Sequence, residues 1–156
     1  MIEPNMGTML SYIFTDANVD GTLLKSLLID ATKNSFNSIT VDGETSTSDT
    51  VMLISTNEAS HDMISKANDP RINLFRNALN DVATDLAKQI VQDGEGATKF
   101  VEIIVSGAKN KDIATNIAKS VANSPLVKTA IYGEDPNWGR VIAVSYTHLT
   151  LPTIAV

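Results

Sequence analysis

The chain has 156 residues, a formal net charge of −6, 43% hydrophobic and only 5% aromatic residues, and no cysteine. This allows one domain with a core of Leu, Ile, Val and Ala, and excludes disulfides, thiolate metal sites and cysteine nucleophiles. Acidic charge without a basic stripe argues against a nucleic-acid partner, and no apolar run is long enough to cross a membrane.

Met9–Thr15 reads as a strand, with Leu10, Tyr12 and Phe14 alternating against Ser11 and Ile13. Asp20 and Thr22 offer cap oxygens to a helix whose stripe is Leu23, Leu24, Leu27, Leu28 and Ala31. A short strand, Ile39–Val41, leads into the polar loop Asp42–Thr50, and Val51–Ser55 reads as the next strand. His61–Ala67 fits a short helix or irregular chain. Asp69 followed by Pro70 is a helix start. Ile72, Phe75, Leu79, Val82, Leu86 and Ile90 then repeat at helical spacing until Gly94. Phe100–Val105 reads as a strand and Asp112–Ala122 as a helix presenting Ile113, Ile117 and Val121. Val127–Tyr132 and Val141–Val144 read as strands around the loop Gly133–Arg140. The irregular alternation predicts an α/β fold, a layered sandwich rather than a doubly wound sheet. No repeat or linker divides residues 1–144. The tail Ser145–Val156, SYTHLTLPTIAV, carries no ionisable side chain other than Tyr146 and His148 and reads as a strand-forming tail or as sequence foreign to the rest. No secretory signal opens the chain, so a cytoplasmic location is expected.

Four places could carry chemistry. A threonine hydroxyl needs an adjacent base, and the α-amine of a threonine at a chain terminus, with a pKa of about 8, is one. Cutting the Gly7–Thr8 bond would create it, and Gly7 has no side chain to obstruct attack on its carbonyl. Without further support, Thr8 reads equally as the start of a strand. The loop Asp93–Lys99, DGEGATK, leaves a helix and enters a strand, so it faces the negative end of the dipole and is no phosphate cradle. Gly94 and Gly96 could instead present the Glu95 carboxylate to a cationic group, or simply cap the helix. Asp42–Thr50, DGETSTSDT, fits no calcium loop and reads as a hydroxyl-rich turn. Tyr132–Arg140 holds the single tryptophan, and Trp138 is expected to anchor that loop in the core. His61 and His148 have no partner at metal-ligand spacing, so no zinc site is expected.

Four segments in order then resemble one family. MIEPNMGTML is similar to the self-processing segment of the bifunctional ornithine acetyltransferases (glutamate N-acetyltransferases), with Gly7 where alanine is usual. Ser35–Thr50, DGEGATKFVEI and GEDPNWGR resemble successive segments of the same family. The resemblance implies a precursor cut into two chains, with Thr8 heading the second, in a fold similar to but distinct from the N-terminal-nucleophile hydrolases. It implies that Thr8 takes acetyl from N-acetylornithine and passes it to glutamate in arginine biosynthesis, with Glu95 contacting substrate. Some members also accept acetyl-CoA. No metal or bound cofactor is implied, and the active form is expected to pair two copies of each chain.

The resemblance further implies that nearly all of the first chain, with its oxyanion donors and a substrate-binding lysine, is missing here. The likeness ends near Val144. Residues 1–144 are therefore expected to be a partial domain (cleavage segment 1–7, second chain from Thr8) that is inactive alone. A threonine-nucleophile amidohydrolase and an inert module in which Thr8 merely begins a strand remain as alternatives.

Overall fold

The computed structural model describes residues 9–44 and 46–150, with side chains through Thr147. Two strands, β1 (Leu10–Thr15) and β2 (Thr50–Ser55), pair in parallel with Leu10 opposite Thr50 and Thr15 opposite Ser55. Helix α1 (Gly21–Asn34) makes the crossover between them. It starts where predicted, because Asp20 accepts the N–H groups of Thr22 and Leu23 at 3.0 and 3.1 Å. Those are two of the donors that a helix N-terminus leaves unpaired. A 3₁₀ turn, Phe36–Ser38, closes α1. Helix α2 (Arg71–Gln92) begins where the Asp69 carboxylate accepts the Arg71 backbone N–H at 2.9 Å.

Helices α1 and α2 cover one face of the sheet. Ile13 joins Leu27, Ala31, Phe36, Ile72, Leu79, Ala83 and Ala87 in a single buried cluster. Small side chains at Ala31, Ala83 and Ala87 let the two helices approach closely, and Phe36 fills the space at the end of α1. The buried face of β1 is thus the one carrying Ser11 and Ile13. Leu10, Tyr12 and Phe14, the larger apolar set, are exposed together with Met52 and Ile54 of β2. Alternation along the strand is as expected. The side that is buried is the one its neighbours cover.

Three further helices follow: α3 (Lys111–Ala122), α4 (Pro125–Tyr132) and α5 (Trp138–Thr150). The strands expected at Val127–Tyr132 and Val141–Val144 lie inside α4 and α5. Local capping outweighs the β-branched composition there. The Ser124 hydroxyl accepts from the Val127 N–H with Pro125 in the first turn, and Asn137 Oδ1 accepts from the Arg140 N–H at 3.2 Å. The strands expected at Ile39–Val41 and Phe100–Val105 are irregular chain. A strand needs a hydrogen-bonded neighbour, and the Val41 carbonyl is taken instead by Lys128 Nζ at 2.9 Å. His61–Ala67 is irregular chain. The class remains α/β, with one sheet and one helical layer over it among the described residues.

Candidate active site

Site geometry is organised by the N-terminal end of the parallel pair. Met9, just ahead of β1, is buried. Its carbonyl accepts the Thr50 N–H at 2.8 Å, and its own N–H donates to Asp49 Oδ1 at 3.0 Å. A strand-start N–H that would otherwise lack a partner is thereby satisfied by a side chain from a segment forty residues away. The second Asp49 oxygen, Oδ2, is buried and has no hydrogen-bond partner among the described residues. The preceding loop is knit by its own side chains: Asp42 Oδ1 accepts the Glu44 N–H and Ser46 Oγ accepts the Ser48 N–H. Gly43 turns with φ +89, beside the Asn123 side chain.

The C-terminal end of α2 lies at the same end of the layer. Leu10, Ser11 and Tyr12 share a cleft of about 610 Å³ with Gln89, Gln92 and Asp93. Beyond it the chain turns through Gly94, Glu95 and Gly96, with Gly96 at φ +70, a conformation that favours glycine. A Cβ at Gly94 would stand 3.2 Å from Val41 Cγ1, so that glycine also permits close packing. Glu95 is exposed and lines a second cleft of about 330 Å³ with Val41, Lys99, Lys128 and Tyr132. Both lysines there are engaged: Lys99 Nζ with Glu134 at 2.8 Å and the Ile131 carbonyl at 3.2 Å, Lys128 with Val41. The Glu95 carboxylate makes no hydrogen bond or ion pair among the described residues.

Gly7 and Thr8 lie outside the described residues, and Met9 is their first described neighbour. The expectation that Trp138 anchors its loop in the core is corrected: its ring is 72% exposed at the start of α5. The loop is held instead by polar contacts, with Arg140 Nη1 donating to the Leu126 carbonyl at 3.0 Å and the Asp135 N–H to the Ala130 carbonyl at 2.9 Å. His61 is structural. Its Nε2 accepts the Asn18 N–H at 3.2 Å and its Nδ1 sits 2.8 Å from the Asp62 carbonyl, which one tautomer satisfies. The His148 side chain is outside the described residues. Among the described residues no group of three or more acidic or His side chains could hold a metal. Nearby, Arg71 forks onto Asp69 at 2.9 and 2.6 Å. Hydrogen bonds from the Arg71 side chain and then its backbone hold the Asp69 carboxyl down to about 2, from an ordinary 3.8. Sequence reasoning read Asp49 only as one of three acids in a hydroxyl-rich turn and missed its contact with Met9. Its one signal was an acid placed directly before a strand, at the end of a hydroxyl-rich loop that also carries Asp42 and Glu44.

Residues 1–151 match the ArgJ family. The chain belongs to that family. It is 54% identical over 145 residues to the arginine biosynthesis bifunctional protein ArgJ of Agrobacterium fabrum, covering 91% of this chain and 35% of that protein. It is 50% identical over 157 residues to the mitochondrial ArgJ of Neurospora crassa, covering all of this chain and 33% of that protein. The crystal structure of ArgJ from Bacillus halodurans is similar with a TM-score of 0.85 and 46% identity, over 90% of this chain and 65% of that one. The chain thus spans about a third of the length of the curated ArgJ relatives it matches. The family match runs past Val144 into the tail.

Proposed function

We propose that this chain is the part of an ornithine acetyltransferase that carries its nucleophile, Thr8. Membership of the ArgJ family across residues 1–151 is the observation that carries the reading. The arrangement at the start of β1 supports it: the backbone entering from Thr8 is pinned through Met9, and the turn bearing Glu95 follows from the same end of the layer. In self-cleavage the Thr8 hydroxyl attacks the Gly7 carbonyl carbon. The Gly7–Thr8 C–N bond breaks, and the hydroxyl proton ends on the freed α-nitrogen. Water then hydrolyses the ester, releasing the Gly7 carboxylate and the Thr8 hydroxyl.

In transfer, the same hydroxyl attacks the acetyl carbon of N-acetylornithine while the α-amine takes its proton. Ornithine leaves with that proton, and an acetyl-threonine ester remains. The glutamate amine attacks the ester, N-acetylglutamate departs, and the hydroxyl is restored. Glu95 meets the free side-chain ammonium of ornithine. The upstream chain supplies oxyanion donors, one of which is worth roughly 100-fold or more. It also completes a layered sandwich over the open sheet face, and two copies of each chain assemble. No cofactor takes part, acetyl-CoA is a second acetyl donor, and the reaction runs in the cytoplasm.

The test uses this chain carried within the flanking sequence of the Agrobacterium fabrum relative. With N-acetylornithine alone, the Thr8-headed chain gains the mass of one acetyl group. Glutamate then discharges it as N-acetylglutamate. Acetate in place of N-acetylglutamate would instead make the protein an amidohydrolase.

A further inference from the structure

We infer that Lys128 reads the substrate's carboxylate, set with Glu95 in one cleft so that the two together select a small molecule with an ammonium at one end and a carboxylate at the other. The inference deepens the proposed function, on which it rests, by naming the group that meets the second charged end of N-acetylornithine. Glu95 and Lys128 line the same cleft of about 330 Å³. Val41 brings them together. On one side Gly94, the neighbour of Glu95, packs so closely that a Cβ there would stand 3.2 Å from Val41 Cγ1. On the other, Lys128 Nζ donates to the Val41 carbonyl at 2.9 Å. Buried Val127 and Ala130 seat α4, and with it Lys128.

The charges lining this cleft do not all cancel. Lys99 is neutralised by Glu134 at 2.8 Å. Glu95 has no hydrogen bond or ion pair among the described residues, and Lys128 has the Val41 carbonyl alone. A carbonyl satisfies one of the three N–H donors of an ammonium and none of its charge. Lys128 is half-buried. A charge drawn partly out of water costs free energy until an opposite charge joins it. If the two side chains served only to hold the Gly94–Gly96 turn against α4, an ion pair between them would do so. They form none, and one carboxylate and one ammonium are left for a ligand that carries the reverse pair. N-acetylornithine is such a molecule, because acetylation removes the charge of its α-amine and leaves only the side-chain ammonium and the carboxylate. Val101, Ile131 and Tyr132 line the same cleft and supply an apolar wall for the carbon chain between those two ends.

Substrate analogues separate this role from a merely structural one. The assembled protein is assayed for kcat/KM with N-acetylornithine, with its carboxamide, which lacks the anionic end, and with N-acetylnorvaline, which lacks the cationic end. The parent is expected to prefer the acid over the carboxamide by about 10- to 100-fold, the value of one charge-assisted hydrogen bond. Lys128→Gln is expected to lose most of that preference, through KM, while keeping the parent's preference for N-acetylornithine over N-acetylnorvaline, which Glu95 sets. Lys128→Arg, which keeps the charge, is expected to retain part of the carboxylate preference. Each preference is a ratio measured on one preparation, so incomplete folding of a variant does not alter it. A carboxylate preference unchanged in Lys128→Gln, absent from the parent, or lost together with the ammonium preference would overturn the inference and leave the acetyltransfer reading intact. No transfer from N-acetylornithine by the parent would overturn both.

Discussion

Truncating two phenylalanines tests the inverted burial of β1. Phe36 is 1% exposed within the cluster that joins α1, α2 and the sheet, whereas Phe14 on β1 is 68% exposed. Phe36→Ala removes a buried ring and leaves a cavity, at about 3–5 kcal/mol. Full burial of a phenylalanine is worth about 1.5–3 kcal/mol, so Phe14, buried over only a third of its surface, contributes about 0.5–1 kcal/mol. Domains of this size have about 5–15 kcal/mol in total, so Phe36→Ala removes a large fraction of the stability and Phe14→Ala little. Urea denaturation of the 156-residue chain followed by circular dichroism reads both. With a slope near 2 kcal/mol/M, the midpoint falls by about 1.5–2.5 M for Phe36→Ala and by about 0.5 M or less for Phe14→Ala. Equal shifts, or a larger one for Phe14→Ala, would refute the assignment of the buried face.

The Asp69 carboxyl is depressed on folding, so its pair with Arg71 stabilises the protein above the ordinary carboxylate value. That contribution fades as pH falls from 3.8 towards 2, and a carboxyl NMR titration should place Asp69 near 2 in the parent. A value near 3.8 would contradict the Arg71 fork. In the assembled protein, Glu95→Gln should lower kcat/KM for N-acetylornithine by roughly 10- to 100-fold, the loss of one charge-assisted hydrogen bond. Unchanged kinetics would remove Glu95 from the site. The open sheet face of Leu10, Tyr12, Phe14, Met52 and Ile54 should make the isolated chain self-associate. Tyr12→Lys combined with Ile54→Lys should lower its light scattering without changing its circular dichroism, and unchanged scattering would locate the association elsewhere.

Helices α1 and α2 were legible because periodicity and capping agree, Asp20 before Leu23 and Asp69 before Ile72, whereas α3 was legible from the spacing of Ile113, Ile117 and Val121 alone and its cap, Asn110, was not read. The core strands β1 and β2 were legible from composition. Which face of β1 is buried was not, since Ser11 and Ile13 are covered only because α1 and α2 pass over that side. At Val127 and Val141 branched residues suggested strands, but Ser124 and Asn137 cap helices there. Phe100–Val105 has strand composition without a strand beside it. Thr8 and Glu95 came from family resemblance to particular motifs, whose order no composition could supply. The contact of Asp49 with Met9 was not legible because it exists only once β1 and β2 are in register.

The account stands on Thr8 being a nucleophile that frees its own amine. The most direct measurement is the intact mass of this chain produced within its flanking sequence, beside a Thr8→Ala control. Cleavage yields a species beginning at Thr8 in the parent and none in the control. A single uncut mass in both would contradict the account and return Thr8 to an ordinary place at the start of a strand.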